Sequence, residues 1–166
     1  MTPTHPGDTA TAFAPHDHAA CAAQALAEAE RICAETGARL TPVRRRVLEI
    51  LLEQHRAIGA YELLDRLAAE GFGHQPPVAY RALEFLTARG LAHRICRLNA
   101  FTACSRPGKA HAPVFLICKA CHKVAEAEGA RLRGALDEAA GAAGFSVAGA
   151  TLEAYGLCAA CREPQA

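Results

Sequence analysis

Two Cys-x-x-Cys pairs constrain this chain more than any other feature: Cys118-Lys119-Ala120-Cys121 and Cys158-Ala159-Ala160-Cys161. Two residues between cysteines allow a tight turn that aims both sulfurs at one ion, and a second pair completes a tetrahedral thiolate shell for Zn²⁺. Such a shell has no open position, so it predicts a structural ion that fastens a turn near Cys118 to the end of the chain. The competing reading is a pair of unligated or redox-active motifs. Cys118 to His122 also matches the c-type haem attachment pattern, but haem would leave the second pair unexplained.

The remaining cysteines and the eight histidines can be sorted against that background. Residues 1–24 lack a basic start followed by an apolar run, so no export signal is expected, and eight cysteines then favour reduced thiols and metal binding over disulfides. No uninterrupted apolar stretch is long enough for a membrane span. The expected location is the cytoplasm. Apolar residues are 51% of the 166, but many are alanine and none is tryptophan, so the small C-terminal part needs help from a metal.

Charge is unevenly placed. Residues 39–97 carry ten arginines against six acids, whereas residues 1–38 carry one arginine against five acids. An all-arginine basic segment suits phosphate and guanine contacts; an ordinary solvated face is the alternative.

Residues 1–24 read as a disordered tail holding His5, His16 and His18, in which weak metal scavenging or no role at all is expected. A helix follows over 25–35 and stops at Gly37. Thr41-Pro42 marks the next start, with Val43, Val47, Ile50 and Leu51 on one stripe. Helices are predicted over 60–70, with Leu63, Leu64 and Leu67 on one side, and over 78–89, with Leu83 and Leu86 inward. Short strands over 91–97 and 101–104 follow. Compact helices followed by a hairpin spell a winged helix, whose last helix enters the major groove. Residues 105–109 read as a linker. Beyond it, strands over 113–118 and 123–127, a helix over 129–143 with Leu132, Leu136 and Ala140 inward, and a strand over 145–155 complete an α+β chain. The divisions expected are a tail (1–24), a winged-helix DNA-binding domain (25–104) and a dimerisation and metal-binding domain (105–166). Cys33 and Cys96 read as packing residues and Cys21 as incidental.

Taken in order, Arg39-Leu40-Thr41-Pro42-Val43-Arg44, Ala60-Tyr61-Glu62-Leu63-Leu64-Asp65, Pro76-Pro77-Val78-Ala79-Tyr80-Arg81-Ala82-Leu83 and the closing Gly156-Leu157-Cys158-Ala159-Ala160-Cys161 resemble the ferric uptake regulator family, and within it the zinc-sensing branch. The resemblance runs from about residue 25 to 162. It implies an N-terminal winged-helix DNA-binding domain joined by a hinge to a C-terminal α/β dimerisation domain. It also implies two Zn²⁺ ions per chain: the structural ion on Cys118, Cys121, Cys158 and Cys161, and a regulatory ion on His93, Cys104, His111 and Glu126. Two imidazoles, a thiolate and a carboxylate suit tetrahedral zinc, and the thiolate argues against an iron sensor. Taken singly, His93 could be a plain wing residue, Cys104 a small buried one and His111 simply exposed, and Glu128 rivals Glu126.

Tyr80 and Arg81 stand near the start of the proposed recognition helix, where arginine can pair with guanine O6 and N7. Arg44, Arg45, Arg46 and Arg56 read as backbone clamps. The opposing reading packs Tyr80 inside and leaves Arg81 solvated. Two departures from the family pattern stand out: Val78-Ala79 replaces a hydroxyl residue and valine before the tyrosine, and the Cys104–His111 spacing is short. The function expected is a homodimeric, zinc-responsive repressor of zinc-uptake genes, with double-stranded DNA as partner, an AT-rich inverted repeat as operator, and no small-molecule substrate. An iron or peroxide sensor of the same fold is one alternative. A thiol- or zinc-dependent protein without a DNA role is another; it lacks any H-E-x-x-H helix and leaves the arginines unexplained.

Overall fold

The computed structural model describes residues 11–162. The N-terminal half contains helices α1 (His18–Glu35), α2 (Pro42–Leu52), α3 (Ala60–Ala69) and α4 (Pro76–Ala88), with strands β1 (Ile58–Gly59), β2 (Ala92–Ile95) and β3 (Ala100–Ala103). The C-terminal half contains β4 (Pro113–Cys118), β5 (Val124–Glu128), α5 (Ala130–Ala142), β6 (Leu152–Gly156) and the short α6 (Ala159–Arg162).

The first correction concerns the tail. Helix α1 begins at His18, not near residue 25, and a single 3₁₀ turn spans Thr11–Phe13. The Asp17 side chain accepts a 3.0 Å hydrogen bond from the Ala20 N–H and caps the helix. The alanines that follow are strong helix formers. His5 lies outside the described residues.

Helices α2, α3 and α4 bury the stripes their spacing predicts. Val47, Ile50 and Leu51 meet Leu63, Leu64 and Leu67 of α3 and Leu83 and Leu86 of α4, with Ala29 and Cys33 of α1 against them. Thr41 stands at the N-cap of α2 without a side-chain cap bond. Helix α4 starts at Pro76, two residues before the expected position, because Pro76 and Pro77 occupy its first turn, where a missing N–H costs nothing. Val78 packs against the helical core, so this chain uses an apolar contact where the family pattern has a hydroxyl.

Strand β3 is central in a three-stranded antiparallel sheet of order β1-β3-β2, which completes the winged helix. The wing turns at Asn99, whose φ of 46° is tolerated by asparagine. Strand β1 has two residues and leaves no periodic signal in the sequence.

The second sheet has order β5-β4-β6, with β5 antiparallel and β6 parallel to the central β4. Burial on both faces explains why β4 reads Val-Phe-Leu-Ile. Helix α5 makes the crossover from β5 to β6. Two further expectations fail here. Leu132 and Leu136 do not face inward: they are 56% and 36% exposed, and α5 buries no residue. The predicted strand over 145–155 shrinks to Leu152–Gly156, and Phe145 is exposed. Helical periodicity identifies an apolar face but not whether this chain covers it.

The halves dock through an apolar seam. Phe115, Ile117 and Val124 of the second sheet pack against Ile95 and Ala100 of the first and against Ala57, which precedes β1. The Val124 N–H donates to the His55 carbonyl at 2.8 Å, and Arg56 forms an isolated bridge with Lys123. No described helix is long and apolar enough to cross a membrane.

Candidate metal centres and nucleic-acid face

The first centre is built on two turns. Strand β4 delivers Cys118; the chain then reverses through a turn in which the His122 N–H donates to the Cys118 carbonyl at 2.9 Å and the Cys118 N–H to the Lys123 carbonyl at 3.0 Å. His122 takes a φ of 61° to close it. Because β6 runs parallel to β4, the residues after Gly156 arrive beside Cys118, and Cys158 and Cys161 enter the same space. All four sulfurs lie within 4.8 Å of one another. Cys121 and Cys158 are 3.8 Å apart, far beyond a disulfide bond. Zinc–sulfur bonds of about 2.3 Å at tetrahedral angles separate sulfurs by about 3.8 Å, so the donor set fits Zn²⁺.

Backbone N–H groups prepare the set. Those of Cys121 and Cys158 hold the Cys118 thiol down at about 6, which favours thiolate. Hydrogen bonding with the Cys158 sulfur first, and burial second, push the Cys161 thiol up to about 12; a bound cation would reverse this.

The second centre forms where the halves meet. His93 stands on β2, Cys104 follows β3, His111 precedes β4, and Glu126 lies on β5. Their donor atoms come within 4.8 Å of one another. Glu126 Oε1 is 2.5 Å from His111 Nε2 and 3.7 Å from His93 Nε2, and the Cys104 thiol lies 3.6 Å from His111 Nε2. The short Cys104–His111 spacing closes through a looping linker, in which the Arg106 N–H donates to Cys104 Sγ at 3.4 Å. His111 Nδ1 donates to the Lys109 carbonyl at 2.6 Å, which fixes the tautomer and leaves Nε2 a lone pair toward the centre. The other Glu126 oxygen accepts from the Ser105 N–H at 2.9 Å.

Two features of this centre ask for a cation. His93 Nε2 is buried with no hydrogen-bond partner, an arrangement that is costly unless something occupies it. Burial first, and the Glu126 charge second, push the Cys104 thiol up to about 12; a divalent ion would reverse both effects. Glu128 stands outside this centre, paired with Arg106 at 2.9 Å.

The proposed DNA residues fall into two groups. Tyr80 is 41% exposed on α4 rather than packed inside, and Arg81 is exposed beside it. The other four arginines have partners within the chain. Arg44 lies over the Phe85 ring at 3.8 Å and donates to the Arg39 carbonyl. Arg45 pairs with Glu30 and Glu49. Arg46 grips Glu70 through two nitrogens, at 2.5 and 2.8 Å. Arg56 pairs with Glu62 at 2.6 Å. These pairs are partly exposed and worth about 0–1 kcal/mol each, so a phosphate can compete for them.

Three residues take places that no local sequence signal marks. Glu153 on β6 reaches the wing, accepting from the Cys96 and Arg97 N–H groups at 2.6 and 3.1 Å. Tyr61, 70% exposed on α3, shares a groove with Tyr80 and His93. Cys96, expected to pack, is exposed at the wing's edge; Cys33 is buried as expected.

Comparison with known proteins follows the same lines. The family model of the ferric uptake regulator family matches residues 35–155. The zinc uptake regulation protein of Escherichia coli (strain K12) is 38% identical over 144 residues, which are 85% of this chain and 83% of that protein. A solved zinc uptake regulator complexed with zinc and DNA superposes with a TM-score of 0.79 at 37% identity, covering 84% of this chain and 94% of that one. The crystal structure of holo XcZur superposes with a TM-score of 0.74 at 40% identity, covering 87% of this chain and 98% of that one.

Proposed function

The chain belongs to the ferric uptake regulator family, and we propose that it serves there as a zinc-responsive, homodimeric repressor of zinc-uptake genes. Zinc-loaded, it binds an AT-rich inverted-repeat operator in the cytoplasm. It carries two Zn²⁺ ions per chain and acts as a regulator rather than an enzyme.

One observation carries this reading: the second centre draws His93 from the wing, Cys104 and His111 from the two ends of the segment joining the halves, and Glu126 from the second sheet. Bound there, zinc supplies one cation shared by all four ligands. Those side chains converge only when the wing sits against the second sheet, so a ligand held by all four favours the docked arrangement. Moving a population from mostly open to mostly docked needs a differential affinity of about 5 kcal/mol. The seam of Phe115, Ile117 and Val124 and the Glu153 contact to the wing bias the same arrangement. The thiolate of Cys104 favours zinc over a hard cation.

We assign the winged-helix unit to residues up to Cys104 and the dimerisation unit to residues from Ser105. The exposed Leu132, Leu136, Phe145 and Leu157 give α5 and the chain's end an apolar surface for a second copy. Two-fold symmetry then presents two α4 helices to successive major grooves. Tyr80 and Arg81 read bases, Tyr61 adds an exposed aromatic contact, and Arg44, Arg45, Arg46 and Arg56 turn from their intramolecular partners to phosphates.

The test is DNA binding by anisotropy with free zinc clamped over a wide range and the Cys₄ ion left in place. Binding that rises steeply with zinc, and not with iron or manganese, is the expected result. Binding indifferent to zinc would remove the regulatory assignment.

A further inference from the structure

Three imidazoles and a thiol belong to neither centre, yet they converge at the junction between the halves. His16 precedes the Asp17 cap of α1. His18 and Cys21 lie three residues apart in its first turns and so share a face. His55 follows α2. A ring nitrogen of His16, one of His55 and the Cys21 sulfur lie within 4.8 Å of one another. The Nε2 atoms of His16 and His55 are 2.9 Å apart. The His18 ring sits 4.6 Å from that of His55 and 5.6 Å from that of His16, centroid to centroid.

Backbone carbonyls orient two of the rings as they do in metal-bound histidines. His16 Nδ1 donates to the Ala14 carbonyl at 3.0 Å, which leaves its Nε2 a lone pair. His18 Nε2 donates to the Glu53 carbonyl at 2.9 Å, which leaves its Nδ1 buried and without a hydrogen-bond partner. Burial, then the neighbouring imidazoles, press the His55 pKa down to about 4, so its ring is an unprotonated base at neutral pH. Zinc–nitrogen bonds of about 2.0–2.1 Å at tetrahedral angles place nitrogens about 3.3 Å apart, a few tenths of an ångström from the spacing of His16 and His55. A simple hydrogen bond between these two rings accounts for neither the Cys21 sulfur beside them nor the bare Nδ1 of His18.

We propose that His16, Cys21 and His55 form a third metal site, for a borderline divalent cation of the zinc class, with His18 or water completing the shell. The donor set of two or three imidazoles and a thiolate is the type that zinc takes. Its position gives it a consequence. The His55 carbonyl accepts from the Val124 N–H across the seam. A cavity of about 440 Å³ is lined by His18, Cys21 and His55 and also by Cys104 and Glu126. An ion here fastens the start of α1 to the junction, beside the regulatory centre. The site stands independently of the repressor reading.

The experiment counts metal. The full-length chain is dialysed against excess zinc, and zinc per chain is measured for wild type, His16→Ala, Cys21→Ser and His93→Ala. His16 is exposed, so its variant leaves the fold intact, which a melting curve checks. Wild type is expected to hold three ions, and His16→Ala and Cys21→Ser two each. His93→Ala is expected to lose a different ion, so that the His16→Ala/His93→Ala double variant holds one. With Co²⁺ as probe, the third equivalent adds thiolate charge-transfer absorption that Cys21→Ser abolishes. A wild-type chain that stops at two ions overturns the proposal. So does a third ion that survives both His16→Ala and Cys21→Ser.

Discussion

His93 Nε2 on the wing lies 3.7 Å from Glu126 Oε1 on the second sheet, and that nitrogen has no hydrogen-bond partner. The pair spans the two halves of the molecule at the point where a cation would lock them. His93→Ala should therefore leave a folded dimer that holds one zinc fewer. Loss of a direct ligand should weaken regulatory zinc binding by at least the 10–100-fold typical of outer-shell partners. Zinc-dependent DNA binding should fall with it. Circular dichroism, size and zinc titration measured together check this; a misfolded variant would count against a purely regulatory role.

Cys104 sets the pH dependence. Burial pushes its thiol up to about 12 in the metal-free fold, whereas a zinc ion at the proposed regulatory centre would take it as thiolate, so each binding event would release one proton. Regulatory zinc affinity should rise about tenfold from pH 7.5 to 8.5, where imidazoles are already neutral. Without metal the sign reverses. A thiol whose pKa is raised on folding stabilises the fold below the ordinary thiol range, about 8.5, and that contribution is lost as pH climbs toward 12. Chelator competition and melting curves at stepped pH check the two halves of this statement.

Removal of the ion proposed for the Cys₄ set should behave differently. Cys118 is nearly fully buried and joins the β4–β5 turn to the end of the chain. Cys118→Ser should lower the melting temperature by more than about 10 °C and loosen the β4–β6 pairing. Equal unfolding in His93→Ala and Cys118→Ser would sink the separation into regulatory and structural ions.

Glu153 offers a test of docking without touching a ligand. It caps the wing turn through the Cys96 and Arg97 N–H groups. Two charge-assisted bonds at a partly exposed site are worth about 1–2 kcal/mol together after screening. Glu153→Ala should cost about tenfold in DNA affinity at fixed zinc and leave zinc stoichiometry unchanged.

Gly129 lies at the entry to α5, where its N–H bonds the Ala112 carbonyl at 2.8 Å. A Cβ there would stand 2.5 Å from that oxygen and 2.6 Å from Val114 Cγ2. Gly129→Ala should destabilise the chain by about 1–3 kcal/mol through forced movement of β4. Denaturant melting reads it directly.

The sequence determined much of this architecture. The apolar stripes of α2, α3 and α4, the hairpin of the wing and the two Cys-x-x-Cys turns were legible because each is set by local spacing. The residues that the fold gathers into the two candidate metal centres were nameable too, the Cys₄ set from its own spacing and the second set by resemblance. What only the tertiary structure decided is where separate segments meet. Nothing local marks Glu153 as a wing contact, since it lies far along the chain from Cys96. The start of α1 was hidden because its capping Asp17 sits among histidines and prolines that read as a tail. Leu132 and Leu136 looked inward because periodicity reports an apolar face but not its partner, and this chain leaves that face uncovered. His16, Cys21 and His55 came together only when α1 folded back over the end of α2: a metal site assembled across sequence distance carries no periodic signal, and packing alone brings its ligands within reach of one ion.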